Sequence, residues 1–217
     1  MKKSIAVILS GCGRMDGSEI HEATLTLWAI HRNNGDYQCY APNISQAQVL
    51  NHLTGKPMAE ERNVLVESAR IARGDILDLA RYKADNHDGL ILPGGLGAAR
   101  NLSTFASNGA ECSVDKDVER AIGETAAVSK PIGALCIAPV ILARLIDGAE
   151  VTIGQDQATA DKISAMGARH TPTMQAEIVI DRKRKIITTP CYMLDARVDQ
   201  IGESADKVVR EMLEMMR

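Results

Sequence analysis

The sequence predicts a three-layer α/β sandwich, with a mostly parallel sheet, helices on both faces and one sharp elbow carrying a cysteine. Three observations lead there. Short apolar runs alternate with amphipathic helical stretches, the pattern of a parallel sheet wrapped by helices. Several runs, such as Ile5 to Leu9, are apolar throughout, as in strands covered on both faces. Residues 131–143, PIGALCIAPVILA, carry an apolar strand into Cys136 and begin a helix at once, with Pro139 in its first turn.

The elements follow in order. Strands are expected over Ser4–Leu9, Gln38–Ala41, Gly89–Leu92, Ile132–Leu135 and Glu150–Ile153. A hairpin of Ile178–Ile180 and Ile186–Thr188 follows, with the basic run Arg182–Lys185 as its solvated turn. The N-terminus is basic and then apolar, as a signal peptide begins. Its apolar part is too short, however, and a Gly-rich turn follows, so it reads as the first strand. Ser18 is placed to cap a helix through His31, with Ile20, Ala23, Leu27 and Ile30 on the core face. Leu25 and Trp28 lie on another side of that helix, a breadth of apolar cover that points to a homodimer. Near the C-terminus, Ile201, Ala205, Val208, Val209, Met212 and Met216 form a stripe of period 3.6 that reads as core. No repeat, linker or low-complexity tract interrupts the chain, so residues 1–217 are expected to form a single domain.

Composition narrows the function. A formal net charge of −3, with Lys and Arg scattered, leaves no footprint for nucleic acid or an anionic membrane. No apolar stretch approaches the ~20 residues that span a bilayer. Five widely spaced cysteines without a C-x-x-C pair argue against structural zinc and against a disulfide framework. Free thiols in that number point to a reducing compartment, and the cytoplasm is the expected one.

Ligands in open α/β sheets bind outside the carboxyl ends of the strands, and three turns there are unusual. Residues 10–17, SGCGRMDG, do not match the G-x-G-x-x-G spacing, and the next strand ends in Ala41-Pro42 without an acid for a ribose; no nucleotide cofactor is expected. Residues 92–98, LPGGLGA, turn sharply and are able to offer backbone N–H groups to an anion. The third turn is the elbow, where Ala134 and Ala138 flank Cys136 with the small-residue spacing of G-x-S-x-G. A thiol at a helix N-terminus is expected to have a lowered pKa. The residues alone leave Cys136 either a nucleophile or a buried structural thiol.

Strand–PGG-x-G–helix followed by strand–A-x-C-x-A-P–helix resembles the ThiJ/PfpI superfamily, with its flavodoxin-like class I glutamine-amidotransferase-like fold. LSGCG near the start, GSEIHEA at 17–23, NHLTG at 51–55 and TTPCYM at 188–193 are similar to its ElbB branch, named for enhancing lycopene biosynthesis and described as glyoxalases. The resemblance implies Cys136 as nucleophile, Glu22 as acidic partner, and Gly95 and Ile137 as backbone oxyanion donors beside Gly94. Supporting positions are expected from Cys12, Glu19, His170 and Tyr192. Two departures matter: Ile137 stands where the peptidase-like members have a His, and no His-x-Glu of amidotransferase type occurs. His21 lies next to Glu22 and is expected to point elsewhere, since adjacent helical residues differ by ~100°.

The implied activity is a cofactor-free, metal-free, glutathione-independent conversion of small 2-oxoaldehydes such as methylglyoxal and glyoxal to hydroxy acids, a lyase-type glyoxalase. Two alternatives stand beside it: a redox or carbonyl-stress sensor built on Cys136, and an interaction protein influencing isoprenoid biosynthesis.

Overall fold

The computed structural model describes residues 2–216. In chain order the strands are β1 (Ser4–Ile8), β2 (Asp36–Ala41), β3 (Ile76–Asp78), β4 (Gly89–Leu92), β5 (Ile132–Leu135), β6 (Glu150–Val151), β7 (Arg169–His170), β8 (Val179–Asp181) and β9 (Ile186–Thr189). The helices are α1 (Ile20–Arg32), α2 (Val64–Ile71), α3 (Leu96–Arg100), α4 (Phe105–Asn108), α5 (Lys116–Ala127), α6 (Pro139–Leu145), α7 (Gln157–Ala165) and α8 (Val198–Met215).

A seven-stranded sheet runs in the order β3-β2-β1-β4-β5-β9-β8, parallel except for the last strand. The flavodoxin-like expectation therefore holds. The four residues of β4 and the four of β5 are all buried, because helices cover both faces: α1 and α8 pack together on one, α5 and α6 on the other. The strand order reverses between β1 and β4, which opens a crevice at their carboxyl ends.

Four adjacent strands therefore discharge into one place. The loop after β1 leads to α1, the loop after β4 is the Gly94-Gly95 turn, β5 ends at Cys136, and β9 ends at Pro190 before Tyr192. Backbone hydrogen bonds zip the first two loops together: Glu19 N–H donates to Gly94 C=O, Leu96 N–H to Arg14 C=O and Gly97 N–H to Gly17 C=O, at 2.8–2.9 Å. Asn101 ties the first loop down, donating to the carbonyls of Ser10 and Asp16 at 2.8 Å each.

Several expectations are corrected. Ser18 does not cap α1; its hydroxyl accepts from Ser10 N–H inside the loop, and Glu19 is the cap, accepting from Glu22 N–H at 2.8 Å. Ile20 is 46 % exposed because the first turn of α1 overhangs the sheet, whereas Ala23, Leu27 and Ile30 are buried as expected. Glu150–Ile153 does not join the main sheet; β6 pairs with β7 in a separate two-stranded ribbon.

Packing between α8 and the sheet is close enough to make Gly133 indispensable. A methyl group there would lie 2.8 Å from Met212 Sδ and 2.9 Å from Ile91 Cγ1. Gly133→Ala should cost about 1–3 kcal/mol by overpacking. Gly123, on the exposed side of α5 with nothing near its missing Cβ, should gain about 0.4–1 kcal/mol as Ala. Urea unfolding of the two variants checks both signs.

Candidate active site

Cys136 is held at φ 60°, the left-handed region that non-glycine residues rarely occupy, and this aims its thiol into the crevice. Its own N–H donates to Thr189 C=O at 2.9 Å, which pins the elbow to β9. The thiol is nearly covered, and the N–H groups of Gly95 and Ile137 point at the sulfur. Both expected donors thus meet the expected nucleophile.

Glu22 has no exposed surface. Its Oε2 accepts from Gly94 N–H at 3.0 Å and its Oε1 from Tyr192 N–H at 3.2 Å, while the thiol of Cys136 lies within its hydrogen-bonding reach. Only glycine fits between the two functional groups. A methyl group on Gly94 would sit 2.3 Å from Cys136 Cβ and 2.5 Å from Glu22 Oε2.

Electrostatics couple the pair. Burial, with the charge of Glu19 second, pushes the Glu22 carboxyl up to about 8, and the donors around it only partly oppose this. Burial, with the Glu22 charge second, also pushes the Cys136 thiol up, against the N–H groups of Gly95 and Ile137. The lowered thiol pKa expected at the start of a helix is therefore corrected: burial and the Glu22 charge outweigh the N–H groups of Gly95 and Ile137, and the thiol is pushed up. Below about pH 8 both groups hold protons. Above it the pair shares one, placed on either oxygen or sulfur.

The thiol forms part of the lining of a cavity of about 660 Å³, with Arg14, Glu19, His21, Gly95, Ile137 and Tyr192 around it. Met193 to Ala196 close one side. Of the supporting positions, Glu19 and Tyr192 reach this cavity. Cys12 and His170 do not line it. Cys12 sits half-buried in the field of Glu67, Arg70 and Asp16, where burial raises its thiol. His170 belongs to β7 and accepts from Ile153 N–H at 3.3 Å, because the segment expected as a helix end is a strand.

Two residues were missed. His21 stands on the cavity rim with Nδ1 2.8 Å from the Tyr192 hydroxyl. Its position in the first turn of the helix that leaves β1, at the carboxyl end of the sheet, was the available signal. Cys191 is fully buried at φ 43°, in the field of Glu22 and Cys136, and burial pushes its thiol well up. Among the described residues, no group of three or more His, Cys, Asp and Glu is placed to hold a metal ion, and no helix is long and apolar enough to cross a membrane.

The coupling predicts how Cys136 alkylates. Its rate with iodoacetamide should rise in two steps with pH, the first near pH 8 as the pair loses its first proton and the second far above. Glu22→Gln removes the carboxyl and should leave a single step. Mass-resolved labelling across pH 6–11 checks this, and two steps surviving in Glu22→Gln would contradict it.

No family model matches the chain. Across 221 residues, 97 % of this chain and 82 % of the relative, it is 46 % identical to the human glutamine amidotransferase-like class 1 domain-containing protein 3, mitochondrial. A crystal structure of an isoprenoid biosynthesis protein with amidotransferase-like domain from Ehrlichia chaffeensis superposes with a TM-score of 0.94 at 35 % identity, covering 99 % of this chain and all of that one. Drosophila melanogaster DJ-1beta, at 18 % identity and a TM-score of 0.58 over 99 % of this chain and 96 % of that one, shares the fold alone. The mitochondrial relatives overturn the expectation of a cytoplasmic protein. Free thiols indicate a reducing compartment, and that property does not single out the cytoplasm. The chain belongs to the glutamine amidotransferase-like class 1 domain family, on the DJ-1/ThiJ/PfpI fold.

Proposed function

We propose that this protein is a cofactor-free, glutathione-independent glyoxalase that converts small 2-oxoaldehydes such as methylglyoxal to 2-hydroxy acids. One observation carries the reading: a buried carboxyl lies within hydrogen-bonding reach of a buried thiol, and Cys136, with the N–H groups of Gly95 and Ile137 facing its sulfur, lines an open cavity.

The chemistry follows from that arrangement. The reactive form is the singly protonated pair, with the proton on Glu22: the Cys136 thiolate attacks the aldehyde carbon, and the oxyanion that forms is held by the N–H groups of Gly95 and Ile137 and takes the proton from Glu22. The product is a hemithioacetal. Glu22, now a carboxylate, removes the C1 proton and returns it to C2 through an enediol, while the proton on O1 passes to O2. The result is a 2-hydroxyacyl thioester on Cys136. Water then cleaves it, releasing the acid and restoring the shared proton. Oxidation at C1 balances reduction at C2, so no external oxidant or reductant enters.

Glu19 explains itself as a cap, since its carboxylate accepts from Glu22 N–H. Glu22→Gln should lower methylglyoxal turnover by about 10²–10⁴, with lactate as the measured product and circular dichroism unchanged. Glu19→Gln should retain most activity. Cys136→Ala should abolish it. Ammonia release from glutamine by purified protein, or lactate formation surviving in Cys136→Ala, would overturn the reading.

A homodimer is part of the proposal. Trp28 and Val198, 44 % and 51 % exposed, flank a groove between α1 and α8 floored by Leu25 and Gly202. Sedimentation velocity at micromolar concentration should give a dimer, and Trp28→Glu a monomer.

A further inference from the structure

The proposed reaction ends in hydrolysis of a thioester, and Glu22 is poorly placed to activate the water. It is fully buried, hydrogen-bonded at both oxygens, and already engaged with the sulfur that must leave. The position directly after the thiol holds Ile137, whose side chain moves no proton. The cavity nevertheless has one imidazole. His21 comes to the rim from the first turn of α1 and lines the same space as Cys136.

Building on the glyoxalase reading, we infer that His21, held by Tyr192, is the base that activates water against the acyl-Cys136 thioester. His21 Nδ1 lies 2.8 Å from the Tyr192 hydroxyl, and its Nε2 has no hydrogen bond among the described residues. In the tautomer whose Nδ1–H donates to the Tyr192 oxygen, Nε2 carries the lone pair the reaction needs, and the Tyr192 contact holds the ring in place. Tyr192 is bonded at its other end too, since its N–H donates to Glu22 Oε1 at 3.2 Å. One residue is therefore bonded to both acid–base groups, to His21 through its hydroxyl and to Glu22 through its N–H. Burial and the charges of Glu19 and Glu22 push the Tyr192 phenol up, which keeps it a neutral partner.

The step balances. Nε2 takes a proton from water as its oxygen bonds to the thioester carbonyl carbon, and the oxyanion gathers on the Gly95 and Ile137 N–H groups. The C–S bond breaks, the pair of electrons stays on sulfur, and the new carboxylic acid gives its proton back to Glu22. His21 releases the other proton to solvent. Isomerisation to the thioester does not need His21. Removing it should therefore stop the cycle after acylation. Tyr192 acts through His21 and is a positioning residue.

The test uses the full-length protein and methylglyoxal. His21→Ala should lose about 10²-fold or more in lactate turnover while accumulating a Cys136 adduct. Unlike a hemithioacetal, this adduct should survive dilution into denaturant and release lactohydroxamate on treatment with hydroxylamine. Imidazole in solution should restore turnover, because His21 is at the rim. Tyr192→Phe should lower kcat with little change in KM and show the same adduct at lower occupancy. His21→Ala turning over like the parent protein, or stalling without a hydroxylamine-cleavable adduct, overturns the role of His21. Failure of the parent protein itself to form lactate overturns the glyoxalase reading instead.

Discussion

The site depends on a carboxyl group that the fold has taken entirely out of water. Ionised and unpaired, such a group would be costly to bury. Here the N–H groups of Gly94 and Tyr192 hold its two oxygens, and the thiol of Cys136 lies beside it. Those donors come from the ends of β4 and β9, so Glu22 on α1 stitches together elements separated by 72 and 170 residues in sequence. Whatever disturbs one of these strands disturbs the acid, and through it the sulfur.

The sheet is built to serve that contact. Strands β1, β4, β5 and β9 lie side by side, and each sends one component to the same edge: the acid through α1, a backbone donor from the glycine turn, the thiol, and the Tyr192 segment. Close approach is possible because the loops after β1 and β4 are joined main chain to main chain. Side chains are therefore spared for the cavity wall.

Most of the architecture was legible in the sequence, for reasons that also explain what was not. Gly89–Leu92 and Ile132–Leu135 stood out because strands covered on both faces are uniformly apolar. β3 and β7, three and two residues long, are too short to show any period. Cys136 was visible through its flanking alanines. Glu22 was not decidable from a helical wheel, because its burial comes from loops that pack over the start of α1 rather than from the face that α1 turns to the sheet. The same overhang misled the reading of neighbouring residues. Ile20 was assigned to the core and is exposed, while His21 was assigned away from the site and lines it. Periodicity describes the body of a helix against a sheet and does not describe a first turn that forms the wall of a crevice.

The two groups aimed at the sulfur are main-chain N–H groups, and no exchange of side chain except for proline deletes a main-chain donor. Tolerance to mutation at this site should consequently be uneven. Ile137 is open to replacement by other residues of similar bulk, while the sensitive positions lie one layer down, where the two loops touch. A methyl group on Gly17 would lie 2.3 Å from Cys12 N, and one on Gly97 would lie 2.4 Å from Ser10 Oγ and 2.6 Å from Gly17 C. Loss of anion stabilisation in this fold is thus largely a matter of loop spacing, and variants that lose it should map to the glycines of this loop contact as well as to Gly94 and Gly95 at the site.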